Sequence, residues 1–229
     1  MELPGSARID CHIHSKYSPD GRGELHELVK VAKEKGLTGM VVSDHNVYRM
    51  PADMKAANFP GFTLIPAMEI SVREGHCLAL GVREAVAARL PLIETLQKIR
   101  EAGGIGVPSH PFRRVHGVGA IAIDAALPHL RALEVYNARD GPRKSNQRGQ
   151  ATALRLQLGG TGGSDAHQIF EVGNAFTVFK ERVDDVDDFL DQIEKKRTWG
   201  QGVPTPRSKL WMQNAKNAWL FARRGFRSI

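Results

Sequence analysis

The chain has 229 residues, 41% hydrophobic and 25% charged, with 23 Gly, 12 Pro and two Cys. That composition suits one large domain with a real core and excludes a disordered or collagen-like chain, a disulfide framework and, for want of any run of about 18 apolar residues, a membrane-spanning helix. The net charge of +7 belongs to the end of the chain, because nine Lys and Arg and no Asp or Glu follow Glu194, leaving residues 1–194 at −2.

Met1–Arg8 lack the apolar segment of a secretory signal, so the reducing cytoplasm is the expected compartment. The first strand is expected over Ala7–His12 and runs into His12-Ile13-His14. Residues two apart in an extended chain share a face, so both imidazoles can reach one metal. Leu25, Leu28, Val29 and Ala32 are spaced as the buried face of a helix that Gly36 would end. A second strand, Leu37–Ser43, leads into Ser43-Asp44-His45-Asn46; a third, Phe62–Ile70, carries Glu69; a fourth, His76–Val82, opens on His76. Leu92, Leu96 and Ile99 mark the next helix, closed at Gly103, before the strand Gly104–Pro108 and Ser109-His110-Pro111. The strand Ala132–Tyr136 is followed by Asn137, and Gly159 sits where a helix C-cap should be, before Gly160–Gly163. Beyond that strand lies Ser164-Asp165-Ala166-His167, with Asp165 and His167 on one face. A last strand, Ala175–Phe179, precedes a helix marked by Val186, Phe189, Leu190 and Ile193. The stretch Gly202-Val203-Pro204-Thr205-Pro206 reads as a linker, dividing a domain of residues 1–202 from a basic extension of residues 203–229 with a helix over Ser208–Arg224.

Strands alternating with helices predict a largely parallel α/β architecture. In such folds the loops beyond the C-terminal strand ends converge on one mouth. Any single His here is more often a satisfied structural residue than a ligand. Repetition at successive strand ends carries the weight, and it points to a metal cluster. Cys11 and Cys77 each neighbour a candidate ligand on a strand, so they should point away from the metals and pack as small hydrophobes. His26 and His129 are expected to be structural or surface residues, and His116 to lie in a loop above the site.

Together, His12-x-His14, Ser18-Pro19-Asp20-Gly21, Ser43-Asp44-His45-Asn46, Glu69-Ile70-Ser71, His76, Ser109-His110-Pro111 and Gly163-Ser164-Asp165-Ala166-His167 resemble the PHP (polymerase and histidinol phosphatase) family. The resemblance spans roughly residues 7–200. It implies a distorted seven-stranded (β/α) barrel, here with a C-terminal basic helix, binding two or three divalent metal ions. His12, His14 and Asp165 would hold the first metal, with Glu69 bridging to the second. Glu69, His76 and His110 would hold the second, and Asp20, His45 and His167 the third. Glu134-Val135-Tyr136-Asn137 lacks the extra His that some members place there, so His76 completes the second set. Nitrogen and oxygen donors without thiolate suit Zn, Mn or Fe.

The resemblance further implies a metal-dependent phosphoesterase acting through a metal-activated hydroxide, with Glu69 and Asp165 as the catalytic carboxylates. Its partner would be a phosphorylated small molecule, a nucleotide or a short oligonucleotide. Lys16, Arg113, Arg114, Arg139 and Arg143 follow motif strands; Arg113 is the expected phosphate ligand, with Asn137 also touching substrate. The main alternative is an amidohydrolase-like enzyme, but such barrels usually bridge their metals with a modified Lys, and here the bridging position is Glu69. A non-catalytic nucleic-acid-binding PHP module is the other alternative, although degenerate copies lose ligands and this chain keeps nine. The tail cations Arg207, Lys209, Lys216, Arg223, Arg224 and Arg227, interleaved with Trp211 and Trp219, suit either a nucleic-acid backbone or a solvated helix docked through Leu210, Trp211, Ala215, Ala218 and Ala222.

Overall fold

The computed structural model describes residues 6–140 and 144–210. Along the described chain run β1 (Ala7–Ile13), α1 (Leu25–Glu34), β2 (Gly39–Val42), α2 (Met50–Ala56), β3 (Thr63–Ser71), β4 (His76–Leu80) and α3 (Leu92–Glu101). Then come β5 (Ile105–Pro108), α4 (Gly119–Ala126), β6 (Ala132–Asn137), α5 (Lys144–Arg155), β7 (Gly159–Gly163), β8 (Ala175–Phe179), α6 (Val186–Glu194) and β9 (Thr198–Gly202). Seven strands form one curled sheet in the order β5-β4-β3-β2-β1-β8-β9, and β6 pairs with β7. The β6–β7 pair docks against the curl: Asp165 N donates to His12 O at 2.8 Å, His14 N to Ala166 O at 2.9 Å, and Gly162 N to Thr177 Oγ1 at 2.8 Å. The result is the expected α/β fold with a distorted seven-stranded sheet.

One expectation needs correction. Only β1–β2, β2–β3 and β6–β7 are parallel among the described pairings. The pairs β1–β8, β3–β4, β4–β5 and β8–β9 are antiparallel. For β3 and β4 the reason is length: the turn at 72–75 joins the paired residues Ser71 and His76 and leaves no room for the crossover that a parallel pair requires. This hairpin has a functional consequence, because the start of β4 lies at the same rim as the end of β3.

Apolar burial fixes the frame. Helix α1 buries Leu25, Leu28, Val29 and Ala32 over β1 and β2, together with Ile13, Met40 and Val42. Helix α6 packs Phe189 and Ile193 among Ile9, Leu78, Leu80 and Phe179. Cys11 and Cys77 are buried free thiols within the apolar clusters, as expected of small hydrophobes. No helix among the described residues is long and apolar enough to cross a membrane.

Helix α6 begins where Asp185 Oδ1 accepts a hydrogen bond from Asp188 N at 2.9 Å. Asp185→Ala should therefore cost about 1 kcal/mol in urea unfolding. Turnover per folded molecule should not change, because this cap lies on an element that supplies none of the candidate site residues. Residues 207–210 open a helical turn, whereas the rest of the expected helix over Ser208–Arg224 lies outside the described residues, as does Arg143.

Candidate metal centre

One rim of the sheet gathers all nine candidate ligands. His12 and His14 sit at the end of β1, Asp20 in the loop that follows, His45 after β2 and Glu69 near the end of β3. His76 opens β4, His110 follows β5, and Asp165 and His167 follow β7.

Glu69 is the hub, 1% exposed. Its Oε2 lies 3.3 Å from His12 Nε2, 3.3 Å from His14 Nε2 and 3.1 Å from His45 Nδ1. Its Oε1 lies 2.9 Å from His110 Nε2 and 3.1 Å from His76 Nδ1, and accepts Ser109 Oγ at 2.9 Å. Asp165 Oδ1 is 3.6 Å from His12 Nε2 and 3.4 Å from His14 Nε2. Asp20 Oδ2 is 3.1 Å from His167 Nε2 and 3.9 Å from His45 Nε2.

These donors fit divalent cations. Glu69 Oε2 is buried without a hydrogen-bond partner although three imidazole nitrogens surround it. Three sets of ligand atoms each lie within 4.8 Å of one another: His12, His14 and Glu69; His45, Glu69 and His76; His14, His45 and His167. Bonds of ~2.0–2.2 Å to one metal put its ligand atoms roughly 3–4 Å apart, and His12, His14 and Glu69 match that span at 3.2, 3.3 and 3.3 Å. The sets differ from the division implied by the resemblance: His45 joins Glu69 and His76, His14 joins His45 and His167, and Asp20, His110 and Asp165 fall in none of the three.

Crowding explains the electrostatics. Burial opposes ionisation of Glu69, but His12 and His45 outweigh it and hold the carboxyl well below its usual range. Burial also opposes charge on Asp165, and His12 and Arg113 bring it well below normal. For His12, burial is overcome by Glu69, Glu134 and Asp165, which raise it well above normal. His14 is likewise raised against burial, to about 9, by Asp165 and Glu69. His45 is pushed down to about 3, because burial and the neighbouring His14 both disfavour its proton. The acids thus hold protons on His12 and His14, and metal uptake there would release them.

Supporting groups fix the candidate ligands, and most were not singled out in the sequence. Glu134 Oε1 lies 2.9 Å from His12 Nδ1, while its Oε2 accepts His110 N at 2.6 Å and Asn137 Nδ2 at 3.0 Å. Ser18 Oγ lies 3.1 Å from His14 Nδ1 and accepts His45 N at 3.0 Å. A Glu inside the apolar run Ala132–Tyr136 was the available signal for Glu134, because a buried carboxylate needs a partner. Glu134→Gln should lower metal affinity and kcat by about 10–100-fold, the usual effect of losing the group that orients a ligating His. Titration of metal into the stripped variant, alongside turnover, checks this.

The expected substrate contacts are more enclosed than their positions in the sequence suggested. Arg113 joins Asp140, Asn137 and Asp165, and Asn137 is 0% exposed, with its amide turned to Glu134 and Asp165. Arg139 reaches His167 Nδ1 at 3.3 Å and Glu171 Oε2 at 3.3 Å. Lys16 pairs with Glu24 at 2.7 Å, and Arg114 is exposed. His116 stacks on His76, with centroids 4.5 Å apart, whereas His26 and His129 are surface residues.

Residues 10–117 match the model of the PHP domain, and residues 143–198 match the PHP-associated model. The chain belongs to the PHP family. Among solved structures, PsfC from Pseudomonas syringae PB-5123 is 22% identical with a TM-score of 0.69, the match covering 94% of this chain and 99% of that one. A Bifidobacterium adolescentis protein provisionally described as a metal-dependent phosphoesterase is 20% identical with a TM-score of 0.61, over 82% of this chain and 96% of that one. The lesion-specific endonuclease Q of Pyrococcus furiosus is 17% identical with a TM-score of 0.63, over 83% of this chain and 56% of that one. At these identities the likenesses establish the PHP fold, and family membership supports a metal-dependent hydrolase.

Proposed function

We propose that this PHP protein is a metal-dependent phosphoesterase, with a barrel of residues 1–202 carrying the chemistry and residues 203–229 forming a basic extension. The observation that carries the reading is Glu69, one buried carboxylate set between two groups of imidazoles, three on Oε2 and two on Oε1. His12, His14, Asp20, His45, Glu69, His76, His110, Asp165 and His167 would hold two or three divalent ions. Once bound, such ions supply acidified water and a positive clamp for phosphate oxygens.

The chain's own residues do the rest. Glu69 and Asp165 supply negative charge that balances the cations and fixes their spacing. Glu134 and Ser18 lie against the Nδ1 atoms of His12 and His14 and so orient the Nε2 atoms toward the centre, where a bound cation would replace the proton. Glu134 also takes His110 N, which pins the β5 rim to β6. His110 and Asp165 hold positive φ angles of 33° and 54°, a conformation that costs non-glycine residues about 1–3 kcal/mol and recurs at functional sites.

The test is elemental analysis of protein purified without chelator, followed by phosphomonoesters, phosphodiesters, amides and lactones as substrates. Metal-dependent release of phosphate supports the reading. Turnover confined to amides or lactones overturns it in favour of an amidohydrolase-like enzyme. The donor set is compatible with Zn, Mn or Fe, and the buried free thiols fit a reducing cytoplasm.

Likeness to an endonuclease favours nucleic acid as one form of the phosphate ester. On that reading, Arg207, Lys209, Lys216, Arg223, Arg224 and Arg227 meet the phosphate backbone, and all but Arg207 and Lys209 lie outside the described residues. Replacing all six with Ala should weaken oligonucleotide binding and flatten its salt dependence by up to about 0.7 log units per lost phosphate contact, while sparing a small phosphomonoester. Equal effects on both substrates, or none, would assign the tail a structural role.

A further inference from the structure

Arg113 was expected to grip substrate phosphate, yet its surroundings describe another task. Its Nε donates to Asp140 Oδ1 at 2.5 Å, and its Nη2 donates to Asn137 Oδ1 and Asp165 Oδ2, each at 2.9 Å. A bidentate grip on phosphate takes two adjacent N–H groups from one edge of the guanidinium. Both edges of Arg113 include Nη2, which is already engaged.

Asp165 needs such an anchor. Its backbone is left-handed, at φ 54°, and its two oxygens face different ways. Oδ1 looks toward His12, His14 and His167, at 3.6, 3.4 and 3.6 Å, while Oδ2 takes Arg113 and, at 3.3 Å, Asn137 Nδ2. Asn137 is in turn fixed by Asn146 on α5, through Asn137 N to Asn146 Oδ1 and Asn146 Nδ2 to Asn137 O, each at 3.0 Å. Asp140, its side chain 5% exposed, takes the Nε of the same guanidinium. The loops after β5, β6 and β7 therefore meet at one arginine.

We propose that Arg113 is a positioning residue that presents one oxygen of Asp165 to the metal centre, and that Asp140 keeps it in that place. The inference rests on the metal-centre reading above. It reassigns Arg113 from substrate to ligand geometry and gives Asp140 a role.

The experiment compares wild type with Arg113→Lys and Asp140→Asn, each checked for native circular dichroism. Zn and Mn are titrated calorimetrically into the stripped proteins, and kcat and KM are measured separately on 4-nitrophenyl phosphate. Lys keeps the charge but cannot span two carboxylates with a planar fork. The expected result is a drop of about tenfold or more in affinity for the tightest metal in Arg113→Lys, with lower kcat and a KM within twofold of wild type. Asp140→Asn should move metal affinity the same way by a smaller factor. Unchanged metal affinity with a raised KM in Arg113→Lys would overturn the proposal and restore the phosphate grip. If Arg113→Lys fails to fold, Asp140→Asn decides: unchanged metal affinity with a lower KM, as a freed arginine would give, also overturns it. A wild type that binds metal but releases no phosphate would remove the phosphoesterase reading while leaving the metal-affinity comparison to judge Arg113.

Discussion

Glu69→Gln is expected to abolish phosphate release, with a loss of about 10³-fold or more, beyond the 10–100-fold typical of an outer orienting group. The side chain keeps its volume, but a neutral amide turns N–H groups toward imidazoles that now face a carboxylate oxygen. Both groups of His, three on Oε2 and two on Oε1, lose their common counter-charge. Bound metal should fall together with activity, while circular dichroism stays native. Near-wild-type turnover at saturating metal would sink a mechanism built on a bridging carboxylate.

Gly163→Ala should cost stability at the junction of β7 and β1. A Cβ at this position would stand 2.3 Å from His12 Cβ and 2.7 Å from His12 N, so β7 would have to move away from β1. Neither atom is the end of a flexible side chain, so the strain cannot be relieved by a rotamer change. Overpacking of this kind costs about 3 kcal/mol or more. For a chain of this size that corresponds to a Tm lower by about 6–12 °C. The same displacement would strain the hydrogen bond from Asp165 N to His12 O, so metal affinity should fall with stability. Thermal unfolding with and without added metal measures both; a Tm within 2 °C of wild type, roughly the scale of an ordinary surface change, would contradict the close approach.

The candidate ligands were legible in the sequence because all but Asp20 stand at or just beyond a strand end that apolar runs mark plainly. His12, His45, Glu69, His110 and Asp165 follow or close buried strands, and nine residues spread over 156 positions converge on one rim. Strand direction was not legible. The turn at 72–75 was visible as a short gap, but alternation with helices elsewhere suggested largely parallel pairing. Strand β9 was hidden because Thr-Trp-Gly-Gln-Gly offers one large apolar side chain and two glycines, so no alternation can register. Helix α5 was hidden for a related reason: its buried face is Asn146, Gly149, Thr152 and Ala153, small or polar residues that leave no apolar stripe. That same polarity is functional in its effect, since Asn146 fixes Asn137 beneath the site.

The supporting carboxylates were the hardest part to read. Glu134, Asp140 and Glu171 matter through what they hold, namely His12, Arg113 and Arg139, and sequence spacing does not reveal which cation a buried acid will meet. Arg113 illustrates the same limit from the other side. Its position after His110-Pro111-Phe112 suggested a phosphate contact, and only the fold brings Asp140 and Asp165 to its guanidinium.

The central claim is that Glu69 lies between at least two metals. Element-specific anomalous scattering from crystals of protein purified without chelator tests it directly. The account predicts two or more peaks, one on the side of His12 and His14 and another on the side of His76 and His110, with the Glu69 carboxylate between them. A single peak, or metal bound away from Glu69 in a protein fully active on phosphate esters, would contradict it.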